Sequence, residues 1–340
     1  MALKNNTWKL NQWYAEKVAG NIIYIGAPQL NAWGKNTSGL LGQNDTTQRS
    51  SPVQVPGTTW QYLSHTSGAN DTNHVFATKT DGTLWTWGNC GNGQLGQNSE
   101  VHRSSPIQLP GEWDGKNMIA SGGSSFGIKT DGTLWAWGRN TSGYGRLGLN
   151  NKTSYSSPAQ IPGTTWSKIN ANGFATMATK TNGTLWTWGN GNVGQLGINN
   201  QTNYSSPKQV PGTTWSILDN QMSGGNNWQT AIKTDGTLWV WGDNNYGLLG
   251  QNQAPAQLAA ISSPTQITGT TWANVHTNKQ SIIAVKTDGS LWSWGYNGNG
   301  QLGIDNTTAY SSPTKIAGDW KQGVGEIGST EFGFMAIKMV

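Results

Sequence analysis

One phrase, Leu-Trp-x-Trp-Gly, returns along this chain at a nearly constant interval, and it leaves few folds open. It stands at Leu84–Gly88, Leu134–Gly138, Leu185–Gly189, Leu238–Gly242 and Leu291–Gly295, with a weaker copy, Leu-Asn-Ala-Trp-Gly, at Leu30–Gly34. A Gly-Gln-Leu-Gly or a relative follows each copy, at Gly39–Gly42, Gly93–Gly96, Gly145–Gly148, Gly194–Gly197, Gly247–Gly250 and Gly300–Gly303. Next comes Ser-Ser-Pro, ending at Pro52, Pro106, Pro158, Pro207, Pro264 and Pro313. A Trp closes each unit, at Trp60, Trp113, Trp166, Trp215, Trp272 and Trp320, so the period is 48 to 57 residues. A period of that size means a solenoid, a propeller or an array, and every shorter motif has to be judged against it.

Two short motifs lose their usual meaning on that test. Gly91-x-Gly93-x-x-Gly96 has the spacing of a dinucleotide loop. It is one copy of a turn present in every unit, and no helix-forming run follows it, although a phosphate cradle needs a helix N-terminus. Gly123–Gly127 reads G-x-S-x-G, yet it falls between two strands rather than between a strand and a helix.

Within a unit four short segments read as strands. In one unit they are Thr164–Asn170, Ala175–Lys180, Thr184–Gly189 and Ser206–Gly212, with Thr-Asn-Gly at Thr181–Gly183 as the tight turn between the second and third. Trp186 and Trp188 share one face of the third strand, and Leu185 and Thr187 share the other. Both faces therefore need cover, which is the situation of a propeller blade. Eighteen of the 20 tryptophans keep a fixed phase in the repeat, Trp13 and Trp228 being the exceptions, so the ladder reads as blade packing. The expected fold is all-β, a propeller of four-stranded blades. Six are preferred, with the second-strand segment near the C-terminus (Phe332–Val340) pairing with the third and fourth strands supplied by Leu30–Gly57 to close the ring. Residues 1–29 stand outside that count, as an arm with a short amphipathic helix at Leu10–Gly20. A seventh blade is the alternative if Trp8 and Asn21–Gly26 form its inner half.

Composition narrows function. Charged residues make up 11% of the chain, and the net charge is +5. The basic residues are dispersed, because Lys79, Lys129, Lys180, Lys233, Lys286 and Lys338 occupy one point of the repeat, four of them two residues ahead of an Asp. A nucleic-acid surface clusters its cations on one face, so no nucleic-acid partner is expected. Nothing approaches the apolar length of a membrane span, and the N-terminal residues show no apolar signal segment. One cysteine, Cys90, excludes an internal disulfide. His65, His74, His102 and His276 have no metal-ligand spacing, and no carboxylate pair stands out as acid and base. No catalytic residue, metal or cofactor is expected.

What differs between units is the better guide to function, since a repeat scaffold is held constant while its loops meet partners. The loops between first and second strands vary: Ser64–His74, Ser121–Phe126, Asn170–Phe174, Asp219–Trp228 and His276–Ser281. Trp228, off-phase and flanked by Asn226 and Asn227, has the profile of an interface anchor. His74, Phe126, Phe174 and His276 join it as candidate contacts, with Tyr144 and Tyr246 on a second set of loops.

The phrase "DGxLWxWGxNxxGQLG", then "SSPxQI", then a strand ending "AIK", resembles the RCC1-type repeat over about residues 30–340. The resemblance implies a β-propeller, seven-bladed in most members. Chromatin-associated members act as exchange factors on a small GTPase through an inserted β-wedge, and no such insertion is visible here; the longest irregularity is Gln251–Ile261. The Trp- and Asn-rich wording looks most like versions in bacteria and marine bacteriophages. The expectation that follows is a non-enzymatic structural or adhesive module of a virion, such as a tail, fibre or decoration protein. Its partner would be a protein, a host surface or other virion chains, with homo-oligomerisation through the N-terminal arm. The alternative is a cellular protein-binding propeller, exchange-factor-like or an enzyme inhibitor.

Overall fold

A computed structural model describes residues 28–66, 73–141, 143–172, 174–217, 222–225, 227–320, 327–329 and 333–337. The expected N-terminal helix and arm, and the segments that would build a seventh blade, lie outside the described residues. Among the described residues every regular element is a strand, and no helix is long and apolar enough to cross a membrane.

Five antiparallel sheets follow one another along the chain. Each has strands in the order a-b-c-d, taken directly from the chain. In blade 3 these are Trp166–Asn172, Ala175–Lys180, Leu185–Gly189 and Tyr204–Gln209. Blade 1 begins at Trp60, blade 2 at Trp113 and blade 5 at Trp272; in blade 4 strand a is Met222–Gly224, preceded by a single bridge between Trp215 and Lys233. Blade 2 gains a fifth strand, because His65–Thr66 pairs in parallel with its strand a. The a strands of successive blades lie side by side, Asn170 Nδ2 donating to the Met222 carbonyl at 3.3 Å and the Ser223 and Thr277 hydroxyls meeting at 2.8 Å. The Ser-Ser-Pro strands d are outermost and half-exposed.

The Leu-Trp-x-Trp-Gly phrase explains the assembly. Every complete c–d pair carries a β-bulge beside the second Trp, between Thr187 and Gly189 in blade 3. A bulge bends the strand and re-aims a side chain. The second Trp thus crosses into the preceding unit and donates its indole N–H to the residue after the first glycine of the Gly-x-Leu-Gly loop. Trp87, Trp137, Trp188, Trp241 and Trp294 bond to the carbonyls of Leu40, Gln94, Arg146, Gln195 and Leu248 at 2.8–3.0 Å. The glycines make that approach possible. A Cβ on Gly194 (φ +79°) would fall 2.6 Å from the Ser262 Cα of the next blade, and one on Gly197 (φ +67°) 2.7 Å from the Trp241 indole nitrogen. The apparent nucleotide motif is an inter-blade socket.

The first Trp of the phrase serves the b–c turn. Asp81 Oδ1 accepts from the Thr83 backbone and hydroxyl, and Thr83 Oγ1 in turn accepts from the Trp85 indole at 2.9 Å. The repeat lysine lies against the same ring: Lys233 Nζ is 4.2 Å from the Trp239 centroid and 4.8 Å from Trp215, and the arrangement recurs in all five blades. Cation–π contact thus accounts for the evenly spaced lysines.

The two ends hold half a blade each. Asn31–Gly34 pairs with Arg49–Gln54 as strands c and d, and Ile327–Ser329 pairs with Phe334–Ala336 as strands a and b. The first pair packs on blade 1 and the second on blade 5. Together they hold the four strand positions of a sixth blade. The expected ladder joining them is not formed among the described residues, where they are separate two-stranded sheets. Trp33, the counterpart of the five buried bolts, is 61% exposed, and a Cβ on Gly300 would meet nothing within 4 Å.

Candidate functional site

Antiparallel order sends the a–b and c–d loops to one end of every blade, and the b–c turns and d–a links to the other. The turn end is built of the copied Asp-Thr-Trp and Lys-Trp contacts. The loop end is where the units differ. After the glycine of strand c come Lys35, Asn89, Arg139, Asn190, Asp243 and Tyr296, and before the Gly-x-Leu-Gly loop come Ser38, Asn92, Tyr144, Val193, Tyr246 and Asn299. The two loop sets expected as separate candidates therefore share one surface.

Two aromatic pairs bridge neighbouring blades there. Tyr144, from the c–d loop of blade 2, stands edge-on to Phe174, from the a–b loop of blade 3, with centroids 6.0 Å apart. Tyr246, from blade 4, meets Tyr296 of blade 5 at 5.4 Å, and Gln280 Nε2 donates to the Tyr246 hydroxyl at 3.0 Å. Phe174 also lies under a cation, the Arg146 guanidinium carbon being 5.5 Å from its centroid. Arg146 is 5% exposed. Its Nη1 donates to the Gly122 carbonyl at 3.1 Å and to Ser124 Oγ at 3.3 Å, while Nε is buried with no acceptor. Burial, and secondarily the nearby Arg139, bring its pKa down to about 10.

Three sequence candidates are corrected by burial. His74, Phe126 and Trp228 are 0%, 1% and 2% exposed, so none of them is presented to a partner. The a–b loops are shorter than the sequence suggests. Ser124 and His74 already begin strand b, and Phe126 follows Ser124 on the same strand, pairing with Ala136 and Ile119 in the core. Trp228 occupies the same first position of strand b, opposite Gly242, that His74, Ser124, Ala175 and Ser281 hold in the other blades. It belongs to one buried cluster with Leu248 and Ile282, its indole nitrogen standing 2.5 Å from where a Cβ on Gly225 would be. Asn226 lies outside the described residues. Asn227 is half-buried beside Trp228, its carbonyl accepting from the Asp243 amide at 2.9 Å. His276 is half-buried at the end of strand a in blade 5. Tyr144, Phe174 and Tyr246 are the candidates that the structure brings into one kind of place. Arg139, Arg146, Tyr296 and Gln280 join them. Arg146 was legible only as the one charged residue at the second position of Gly-x-Leu-Gly.

The site offers contact surface rather than reactive groups. Ser125, at the centre of the G-x-S-x-G match, is fully buried and donates to the Gln94 carbonyl at 2.7 Å. His74 Nε2 lies 2.9 Å from the same hydroxyl, and since the Ser proton is committed, the imidazole donates. Burial pushes the His74 pKa down to about 3, which makes it a neutral core group rather than a base. Burial also raises the Cys90 thiol, whose Sγ donates to the Ser99 carbonyl. Among the described residues no group of three His, Cys, Asp or Glu could hold a metal ion.

Comparison with known proteins agrees with this geometry. A family model described as the RCC1-like domain matches residues 29–334. The chain is 28% identical over 289 residues to the mitochondrial RCC1 domain-containing protein RUG3 of Arabidopsis thaliana, covering 80% of this chain and 62% of that protein. It is 28% identical over 298 residues to the ultraviolet-B receptor UVR8 of the same plant, covering 84% and 65%. The chain thus spans less than two-thirds of the length of either relative. It matches 6% of the human E3 ubiquitin-protein ligase HERC2, at 23% identity over 85% of this chain. Among solved structures, yeast RCC1 (Prp20) bound to Kap60 superposes with a TM-score of 0.68 at 18% identity, over 88% of this chain and 75% of that one. Human WBSCR16 gives 0.67 at 20% identity, over 86% and 78%.

Proposed function

The chain belongs to the RCC1-like domain family, and on that premise we propose that it is a non-enzymatic, protein-binding propeller that meets its partner with the loop end. The observation that carries this reading is the division of the molecule. The inter-blade bolts and the lysine–tryptophan contacts are copied five times, while the unlike aromatic and arginine residues gather at the loop end, including the Tyr144–Phe174 and Tyr246–Tyr296 pairs. Tyr, Phe and Arg are the residue types on which protein interfaces concentrate their binding energy. The relatives reported above are cellular proteins of plants and mammals, and the yeast structure was obtained with a protein bound. They favour a cellular binding module over a virion component. The ligase relative matches over 6% of its length, so its activity is not carried to this chain.

The test is affinity capture from extract of the source cells with quantitative mass spectrometry. Wild type, a loop-end variant (Tyr144→Ser with Tyr246→Ser) and a turn-end variant (Thr213→Ser) are compared. A protein retained by wild type and Thr213→Ser but lost by the loop-end variant supports the reading. Equal recovery by all three variants, or loss with Thr213→Ser alone, refutes it.

A further inference from the structure

We propose that the loop end of blade 2 holds a carboxylate-binding subsite, in which Arg146 and Arg139 take an Asp or Glu side chain from an exposed acidic segment of the bound protein. This rests on the reading of the loop end as the binding surface. Among the described residues Arg146 is a buried cation without a counter-ion. Its hydrogen-bond acceptors are neutral, a carbonyl and a hydroxyl, and Nε has none. Burying a charge in that way is costly unless an opposite charge is brought to it. Among the described residues none lies nearby. Of the groups that act on Arg146, Arg139 has the same sign and opposes its charge, and the Tyr144 phenol, which favours it, is no carboxylate; the Arg49–Asp45 ion pair lies in the N-terminal half-blade.

The second arginine stands on the other side of the same turn. Arg139 is exposed, and its side chain runs over Gly123, where a Cβ would meet Arg139 Cβ at 3.6 Å and Cδ at 3.8 Å. Arg146 holds the adjoining Gly122 carbonyl. Two arginine side chains therefore meet at Gly122–Gly123. The equivalent positions in blades 1 and 3 are neutral amides, Asn89 with Gln94 and Asn190 with Gln195. Both charges thus enter at one blade and at one turn. A guanidinium fork matches a planar carboxylate in a bidentate pair. Phe174 under Arg146 and Tyr144 beside it form an apolar wall that suits the methylene stem of Glu better than a hydrated, doubly charged phosphate.

The probe is a fluorescently labelled hexaglutamate peptide followed by anisotropy at low salt, with hexalysine and hexaglutamine peptides as controls and inorganic phosphate as competitor. The hexaglutamate peptide is expected to bind saturably and the controls not to bind. Arg146→Gln should weaken it about tenfold or more, the scale of a charge-assisted hydrogen bond, and Arg146→Lys should not restore it. Arg139→Gln, an exposed change that leaves the fold intact, should weaken it measurably at an unchanged melting temperature, so the test holds even if the Arg146 variants unfold. Lys152→Gln, an exposed cation in the same c–d loop, should have little effect. No binding of the peptide, equal loss with Lys152→Gln, or full displacement by phosphate at equimolar concentration overturns the inference. If capture by the loop end succeeds and the peptide fails, this subsite alone falls; if the peptide binds and capture fails, it is the protein-binding reading that falls.

Discussion

Trp228→Ala separates a core residue from a recognition residue, because the two roles predict opposite outcomes. The indole is 2% exposed and belongs to one buried cluster with Leu248 and Ile282 at the junction of blades 4 and 5. A buried Trp removes on the order of 200 Å² from water, which at about 25 cal/mol per Å² sets an upper bound near 5 kcal/mol. Large-to-small changes in rigid cores cost about 3–5 kcal/mol, and Gly225 beneath the ring has no side chain with which to fill the space. A chain of this length has an unfolding entropy of roughly 0.7 kcal/mol/K, so the expected fall in Tm is about 4–7 °C if the blades unfold together. It is larger if blades 4 and 5 melt as their own unit. The assay is urea unfolding followed by Trp fluorescence and circular dichroism, with calorimetry for Tm. A Tm within about 1 °C of wild type, coupled to loss of the captured partner, would refute the packing argument and return Trp228 to the contact surface.

Three further outcomes follow from the same contacts. Lys233→Met keeps the aliphatic stem but removes the charge lying between Trp215 and Trp239, and should cost about 1 kcal/mol in urea unfolding; no change would mean that the ring contacts are incidental. Gly194→Ala drives a Cβ into the Ser262 backbone and should cost well over about 2 kcal/mol, whereas Gly300→Ala meets no neighbour and should show only the left-handed backbone penalty of about 1–2 kcal/mol. Equal costs in thermal unfolding would mean that the two half-blades join in solution and bring Ser50 over Gly300. His74 has a folded pKa of about 3, below its ordinary 6.5, so the folded state takes up fewer protons than the unfolded chain between those values. Its contribution is complete above pH 6.5 and declines by on the order of 4–5 kcal/mol as pH falls towards 3. His74→Gln should flatten the stability profile over that window, and an unchanged slope would contradict the buried neutral imidazole.

The architecture was legible because the repeat writes it in Trp and Gly, which have few alternative uses at such density. Leu-Trp-x-Trp-Gly declares a strand covered on both faces, and the structure adds what letters cannot show: the bulge that turns Trp188 into the preceding blade. Trp228 misled because being off-phase reads as being exposed. It sits at the first position of strand b, where His74 is also buried, and only the pairing register reveals that the loop has already ended. Tyr144 and Phe174 were visible as candidates, but their meeting depends on which loops share an end of the sheet. Arg146 was hidden inside the most conspicuous motif, as a charge written where other units carry Gln or Leu.

The central claim is that unlike residues at one end of a copied scaffold do the recognising. Site-specific photocrosslinking tests it most directly, with a benzoylphenylalanine placed in turn at Tyr144, Tyr246, Thr164 and Thr213 in protein exposed to source-cell extract. Tyr144 and Tyr246, on the loop end, should yield one and the same adduct, and Thr164 and Thr213, on the turn end, should yield none. An adduct from the turn end with the loop end silent would contradict the account.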